Sequence, residues 1–236
     1  YGLDHDSLRA INSKLVYCSI TGFGQDGPYA SLAGYDYIVQ GMSGFMSITG
    51  EPDGQPMKAG VAIADIFTGI YAVTAIQAAL IHAMKTGEGQ LVDMALLDVM
   101  SAVLANQNMN YLISGKPPRR GGNAHPNIQP QDVFACRDGM IILACGNDSQ
   151  FVRLCQALGH PEWATDERFV VNARRARNVE ALTALLRDEL GQRSREEVIA
   201  ALDAAGVPCG PINSIPEVFA EPQVRSRQML RHIPHP

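Results

Sequence analysis

Residues 63–85 read IADIFTGIYAVTAIQAALIHAMK, an apolar stretch closed by Thr86-Gly87. Its length, its alanine content and the terminal glycine predict a largely buried helix with a glycine C-cap. A chain of 236 residues is long enough to assemble a sizeable core around such a helix. Hydrophobic residues make up 46% and charged residues 18%, the balance of a globular enzyme rather than a disordered chain. The net charge of −5 gives no basic footprint for nucleic acid. No apolar run is expected to approach bilayer-spanning length, because the longest stretches are broken by Gly, Asp, Gln or His. Five cysteines, Cys18, Cys136, Cys145, Cys155 and Cys209, are odd in number and lack CxxC spacing. That disfavours both a zinc site and a disulfide framework, and a reducing cytoplasm is the expected location.

Around the long helix the pattern alternates. Residues 14–21 (KLVYCSIT) form a short apolar run ended by Gly22, as in a buried parallel strand. Residues 22–34 are rich in Gly, Pro and small polar side chains and read as loop. Residues 90–94 read as a second short strand leading into a helix over 96–112. The stretch SGKPPRRGGNAHPNIQPQ, residues 114–131, is a linker or a functional loop. Residues 133–136 and 140–144 flank Arg137-Asp138-Gly139 as a hairpin would. Helices are expected over 149–158, 179–190 and 194–205, the last opened by a Ser194/Glu197 capping box. Residues 208–216 read as an extended connection. The opening residues, which carry Leu3, Leu8 and Ile11, read as an amphipathic helix. The sum is an α/β portion followed by a smaller α+β portion.

Asp65 stands at the start of the long helix, with Thr68 and Gly69 just after it. As a helix N-cap its carboxylate would accept backbone N–H bonds and contribute about 1 kcal/mol. The same place suits a nucleophile: helix N-terminal amides hold the carboxylate, and nearby glycine lets a substrate approach. A carboxylate attacking a thioester carbonyl gives a mixed anhydride, which divides acyl transfer into easier steps.

The run GYDYIVQGMSGFMSITGEPDGQPMKAGVAIADIFTGIYA, residues 34–72, resembles the signature of the family III coenzyme A transferases (the CaiB/BaiF family). That family includes formyl-CoA transferase, carnitine CoA-transferase and α-methylacyl-CoA racemase. The resemblance continues through GQLVDMALLD (89–98), GNAHPNIQPQDVFACRDG (122–139) and GVPCGPI (206–212), and so covers essentially the whole chain. It implies that Asp65 carries first the acyl group and then CoA. It implies CoA or substrate contacts at Ala33, Gly34, Tyr35 and Asp36, and at Asn127, Ile128 and Gln129 in a loop of the smaller domain. Where some transferases have a glycine run in that loop, this chain has His125-Pro126-Asn127-Ile128-Gln129-Pro130.

Tyr35 bears on the choice of reaction. The racemase branch has His at the matching position, and a proton shuttle at neutral pH favours a group titrating near 7. Tyr35 instead matches formyl-CoA transferase and favours transfer; a packed loop aromatic is its bland alternative. Arg119 and Arg120 could meet an acidic group or form a solvated turn. His125 is a weaker candidate, and Asp93, Asp98 and Asp138 fit structural roles. No His/Cys/carboxylate cluster suggests a metal, and no glycine-rich phosphate motif is present.

By resemblance the expected fold is α/β: a Rossmann-like large domain, a smaller α+β domain, and two subunits interlocked into a homodimer. The opening segment of the large domain is expected to be absent. Residues 1–115 would belong to the large domain, 116–215 to the small domain, and 216–236 to a connection back to the large domain. The implied function moves CoA from an acyl-CoA donor to a small carboxylic acid, with no tightly bound cofactor, no nucleic acid and no membrane. Two alternatives stay open: an acyl-CoA racemase or isomerase, and a non-catalytic fragment lacking part of the CoA site.

Overall fold

The computed structural model describes residues 1–234, which divide into two units, one spanning Tyr1–Gly122 and the other running from Asn123 onward. The division falls after Gly122 rather than after residue 115, because the stretch up to Gly122 is tied to the first unit. Arg120 Nε and Nη2 donate to the Glu51 and Gly54 carbonyls at 3.2 and 2.8 Å, and Gly122 N donates to the Gly50 carbonyl at 3.1 Å. The Arg120 guanidinium is thus spent on bracing a loop.

The first unit contains α1 (His5–Ile11), β1 (Tyr17–Thr21), α2 (Asp36–Met42), α3 (Phe45–Ile48), α4 (Ile63–Thr86), β2 (Leu91–Ala95), α5 (Leu96–Val103) and α6 (Ala105–Ser114). β1 and β2 pair in parallel, with Tyr17 opposite Leu91 and Thr21 opposite Ala95. This is the parallel pairing that the apolar run at 14–21 implied, and α4 lies between the two strands in sequence, as a crossover helix does. Gly87 closes α4 in the left-handed conformation, φ 82°, as its position after the apolar run predicted. The expected single helix over 96–112 is two helices, broken where Ala105 takes φ 45°. Asn108 Nδ2 donates across the break to the Ser101 carbonyl at 2.6 Å.

Two expectations about α4 need correction. It buries only the stripe Ala64, Thr68, Ala72, Ala79 and Ala83, while Ile66, Ile70, Val73, Leu80, Ile81 and Met84 are exposed. The small side chains are the packed ones, and they allow α5 and β2 to come close. With 24 residues and a mean hydropathy of 1.6 over 18 of them, α4 is also long and apolar enough to cross a bilayer, so the sequence does contain one run of that length. Here it packs against α2, α5, β1 and β2.

The second unit begins with the hairpin β3 (Gln131–Cys136) and β4 (Gly139–Ala144), followed by α7 (Asp148–Leu158) and α8 (Asn172–Arg177). Then come α9 (Val179–Leu190), α10 (Arg195–Ala204), β5 (Cys209–Pro211), α11 (Ile215–Ala220) and α12 (Pro222–Ser226). The sheet is antiparallel in the order β3-β4-β5, with Cys136 opposite Gly139 at the turn. Alternation along β4 sends Ile141 and Leu143 inward and leaves Met140 and Ile142 exposed. Leu182, Leu186 and Leu190 recur every four residues on α9 and meet Phe134, Phe151 and Leu154 in one core. Each such side chain contributes roughly 1.5–3 kcal/mol on burial.

The stretch at 208–216, expected as a bare connection, supplies the third strand. Ser214 and Glu217 then form a second capping box that opens α11. The segment from 216, also expected as a connection, holds most of α11 and all of α12.

Candidate functional site

The first unit carries Ala33, Gly34, Tyr35, Asp36 and Asp65, and their positions follow from two local constraints. The first is a backbone crossing. A Cβ on Gly22 would lie 2.5 Å from the Gly34 Cα, and a Cβ on Gly34 would lie 2.5 Å from the Gly22 Cα. Only paired glycines let the exit of β1 and the loop before α2 touch this closely. Gly22 also accepts the Leu97 N–H at 3.1 Å, which ties the crossing to α5.

The second constraint is the start of α4. Its N-cap is Ala62, which offers no side-chain acceptor, and Asp65 lies in the first turn rather than at the cap. The capping reading of Asp65 is therefore corrected, and the acceptor comes from elsewhere. Asp36 Oδ1 accepts the Ala64 N–H at 2.7 Å, and Asp36 Oδ2 accepts Gln40 Nε2 at 2.7 Å. Gln40, fully buried, in turn accepts the Ala59 N–H through Oε1 at 2.9 Å. Asp36 is thus engaged as a brace, with both oxygens occupied. Val39, Ala64, Leu96 and Met100 form the small core beneath it.

This arrangement leaves Asp65 exposed in the first turn, where the helix dipole favours negative charge. No hydrogen bond or ion pair reaches its carboxylate among the described residues. Tyr35, which caps α2 through its backbone, is 72% exposed, and Ala33 is exposed beside it. Tyr35 is therefore not the packed loop aromatic of its bland alternative.

In the second unit, Asn127, Ile128 and Gln129 belong to a tightly bonded loop. Gln129 is buried: its N–H donates to Asn172 Oδ1 at 2.9 Å, its Nε2 to the His125 carbonyl at 2.8 Å, and its carbonyl accepts Arg175 Nε at 2.7 Å. Asn172 Nδ2 holds the Asn127 carbonyl at 2.9 Å. Arg175 is completely buried. It stacks 4.5 Å from the centre of the Phe151 ring and also donates to the Phe169 carbonyl at 2.9 Å and to Asp148 Oδ1 at 2.7 Å. Asp148 Oδ1 also takes the Asn172 N–H at 2.9 Å, so α7 and α8 grip the loop together. Sequence reasoning missed Asn172, Arg175 and Asp148. The run NARRAR looks like a solvated basic turn, and only its asparagine start hinted otherwise.

The cysteines offer no competing nucleophile. Burial pushes the Cys145 thiol up to about 11 and the Cys155 thiol up to about 12, so both stay protonated near neutrality. Among the described residues no group of three His, Cys, Asp or Glu could hold a metal ion.

The family model described as CoA-transferase family III matches residues 1–236. A succinate–glutarate CoA-transferase of Agrobacterium fabrum is 65% identical over 96% of this chain and 57% of its own length. The human succinyl-CoA:glutarate CoA-transferase is 39% identical over 100% of this chain and 54% of its own. The crystal structure of a CaiB/BaiF family protein from Brucella suis, 58% identical, superposes with a TM-score of 0.83 over 97% of this chain and 61% of that one. The chain therefore spans a little over half the length of these relatives.

Proposed function

The chain belongs to CoA-transferase family III, and on that premise we propose that the whole protein moves coenzyme A from an acyl-CoA donor to a carboxylic acid acceptor, with Asp65 as the carrier. The observation that carries the reading is the state of Asp65: exposed and unbonded in the first turn of α4, while Asp36 does the capping that would otherwise occupy it.

In the first step an Asp65 oxygen attacks the thioester carbonyl of the donor; the C–S bond breaks, leaving a mixed anhydride and CoA thiolate. The thiolate then attacks the aspartyl carbonyl. The donor leaves as a carboxylate, and an aspartyl-CoA thioester remains. The acceptor carboxylate attacks that thioester, expels CoA thiolate and forms a second anhydride. The thiolate finally takes the acceptor's acyl group and regenerates the Asp65 carboxylate. CoA thiolate and the Asp65 carboxylate each attack in one step and leave in another, and the acceptor carboxylate that enters is balanced by the donor carboxylate that leaves, so the cycle consumes no net proton or electron.

Within the first unit, Ala33, Gly34 and Tyr35 would line the CoA site on the exposed rim before α2. Asp36 would act by fixing the start of α4 rather than by touching substrate. In the second unit, Asn127 and Ile128 would contribute CoA or substrate contacts of their own, as the family resemblance implies, with Gln129 as the buried anchor of their loop. Short dicarboxylic acids are the proposed substrates, succinyl-CoA as donor and glutarate as acceptor, on the strength of the names of the 65% and 39% identical relatives. We take the assembly to be an interlocked homodimer, the architecture that the resemblance implies, in a reducing cytoplasm, in keeping with five unpaired cysteines. Subunit exchange between tagged and untagged whole protein should then require denaturant.

The direct test is to trap the carrier. Borohydride reduction of the whole protein after incubation with succinyl-CoA should convert Asp65 to a homoserine-type alcohol, detected by peptide mass spectrometry. Rapid transfer with Asp65 unmodified would sink the mechanism.

A further inference from the structure

The chain carries the dipeptide Asp-Gly three times, at Asp26-Gly27, Asp53-Gly54 and Asp138-Gly139, and carries no Asn-Gly. The pair is chemically weak. Glycine has no Cβ to shield its nitrogen, so that nitrogen can approach the carboxyl carbon of the aspartate before it. The approach needs a free carboxyl group, a main-chain N–H with no other engagement, and room for the peptide to turn. The fold treats the three pairs differently.

At Asp138, Oδ1 accepts the Arg195 N–H at 2.7 Å, and Gly139 sits in the β3–β4 ladder opposite Cys136. The Arg195 side chain covers that glycine so closely that an added Cβ would lie 2.9 Å from its Nε. Asp53 is exposed, but the Gly54 N–H donates to the Glu51 carbonyl at 3.0 Å and the Gly54 carbonyl accepts Arg120 Nη2 at 2.8 Å. That glycine is held from both sides. Asp26 and Gly27 are both exposed, and among the described residues nothing bonds the Asp26 carboxylate or the Gly27 N–H. An added Cβ at Gly27 would meet nothing within 4 Å. The pair is the free span between two anchored points. On one side the Gln25 N–H donates to Asp93 Oδ2 at 2.9 Å, and on the other the Tyr29 ring meets Phe23 edge-on, with centroids 5.6 Å apart.

We propose that Asp26 is a site of spontaneous covalent modification, where the chain rearranges through a succinimide to isoaspartate. The Gly27 nitrogen attacks Asp26 Cγ; the N–Cγ bond forms, and the carboxyl hydroxyl leaves with the amide hydrogen as water. Water then opens the ring. Cleavage at Cγ restores aspartate, whereas cleavage at the main-chain carbonyl leaves the chain running through Cγ and frees the former main-chain carbonyl as a carboxylate. One water leaves and one returns, with no oxidant or reductant. The exposed turn gives the reacting atoms a freedom to reach attack distance that the other two pairs lack. The rearranged main chain is one carbon longer, and that carbon falls inside the loop closed by the Gly22–Gly34 crossing.

The test is to age the full-length protein under native conditions for several weeks, digest it, and map the three peptides by liquid chromatography with electron-transfer mass spectrometry. The Asp26 peptide should yield a form lighter by one water and an isoaspartyl form of unchanged mass, and the Asp53 and Asp138 peptides should yield neither. A parallel sample aged in guanidinium chloride should convert all three, because there the fold no longer protects any of them. Isoaspartyl methyltransferase with labelled S-adenosylmethionine should mark the Asp26 peptide of the aged native protein. Asp26→Glu should remove that mark, since the longer side chain would have to close a six-membered ring. Native protein in which Asp26 stays aspartate while the denatured sample converts would overturn the proposal, as would equal conversion of all three pairs in the native protein. These measurements read the main chain itself and do not depend on transfer activity.

Discussion

Asp36 Oδ1 receives the Ala64 amide at 2.7 Å, a contact between residues 28 apart in sequence that sets where α4 begins. The adjacent residue, Asp65, is thereby placed in the first turn with its own carboxylate unengaged. Asp36→Ala should strand the Ala64 N–H and the Gln40 amide in a partly buried setting. The expected loss is about 1–3 kcal/mol in chemical denaturation, with a fall in transfer rate because the start of α4 loosens. Asp36→Asn keeps one acceptor but sets an NH2 against Gln40 Nε2, and should fall between the two. Unchanged stability in Asp36→Ala would show that the brace is dispensable.

Asp65→Asn should behave oppositely. No partner is lost, and the helix-dipole contribution of a first-turn acid is only about 0.3–1 kcal/mol, so the denaturation midpoint should barely move. Transfer by the full-length protein should drop to background. Near-normal turnover in a folded Asp65→Asn preparation would remove this residue from the mechanism.

These two acids also mark how far the sequence could be read. Elements set by neighbours in the chain were legible: β1, the 133–144 hairpin, the Ser194/Glu197 cap and the Gly87 stop each rest on a few adjacent residues. Asp65 drew attention through the family resemblance, whereas local chemistry alone pointed to a cap. The real acceptor, Asp36, could not be recognised from its own neighbourhood, because its partner is a backbone amide in another helix. The α2 and α3 helices were hidden for a related reason: they are short, and the N-cap of α2, Tyr35, supplies no capping side chain. The depth of α4 was misjudged because composition reports apolarity, not which side of a helix finds a neighbour.

Arg175→Met should cost more than a typical surface change. The guanidinium satisfies the Gln129 and Phe169 carbonyls, and a thioether cannot, so about 2–3 kcal/mol of stability should go. Arg175→Lys retains the charge but not the fork, and should recover only part of the loss. Urea titration with a probe in the second unit would check both.

His160 supplies a pH signature. Its ring bonds Glu189 Oε2 and Glu162 Oε1, each at 3.0 Å, and lies stacked on Trp163 with centroids 4.1 Å apart. The bond to Glu189, then that to Glu162, hold the imidazole protonated above its ordinary 6.5. A folded-state value raised above the unfolded one means the stabilisation is full below 6.5 and is lost as pH climbs through the raised value. The thermal midpoint should therefore decline with rising pH in that window, and His160→Gln should flatten the decline. An equal slope in both proteins would assign the effect to other groups.

The Gly22–Gly34 crossing has a consequence for how this family of sequences can diversify. A saturation library over residues 22–34 should tolerate wide change at exposed positions such as Asp26, Ala30, Ser31 and Leu32, though not at Gly27, whose φ is 83°. At its two ends every substitution drives a Cβ into the opposite backbone, and a compensating change is unavailable, because the obstacle is a main-chain carbon and not a side chain that could be made smaller. The two ends therefore cannot rescue each other, and the only route past one glycine is to move the whole loop. Recombination between distant relatives should succeed when both crossing points come from the same parent, together with the strand and helix they separate.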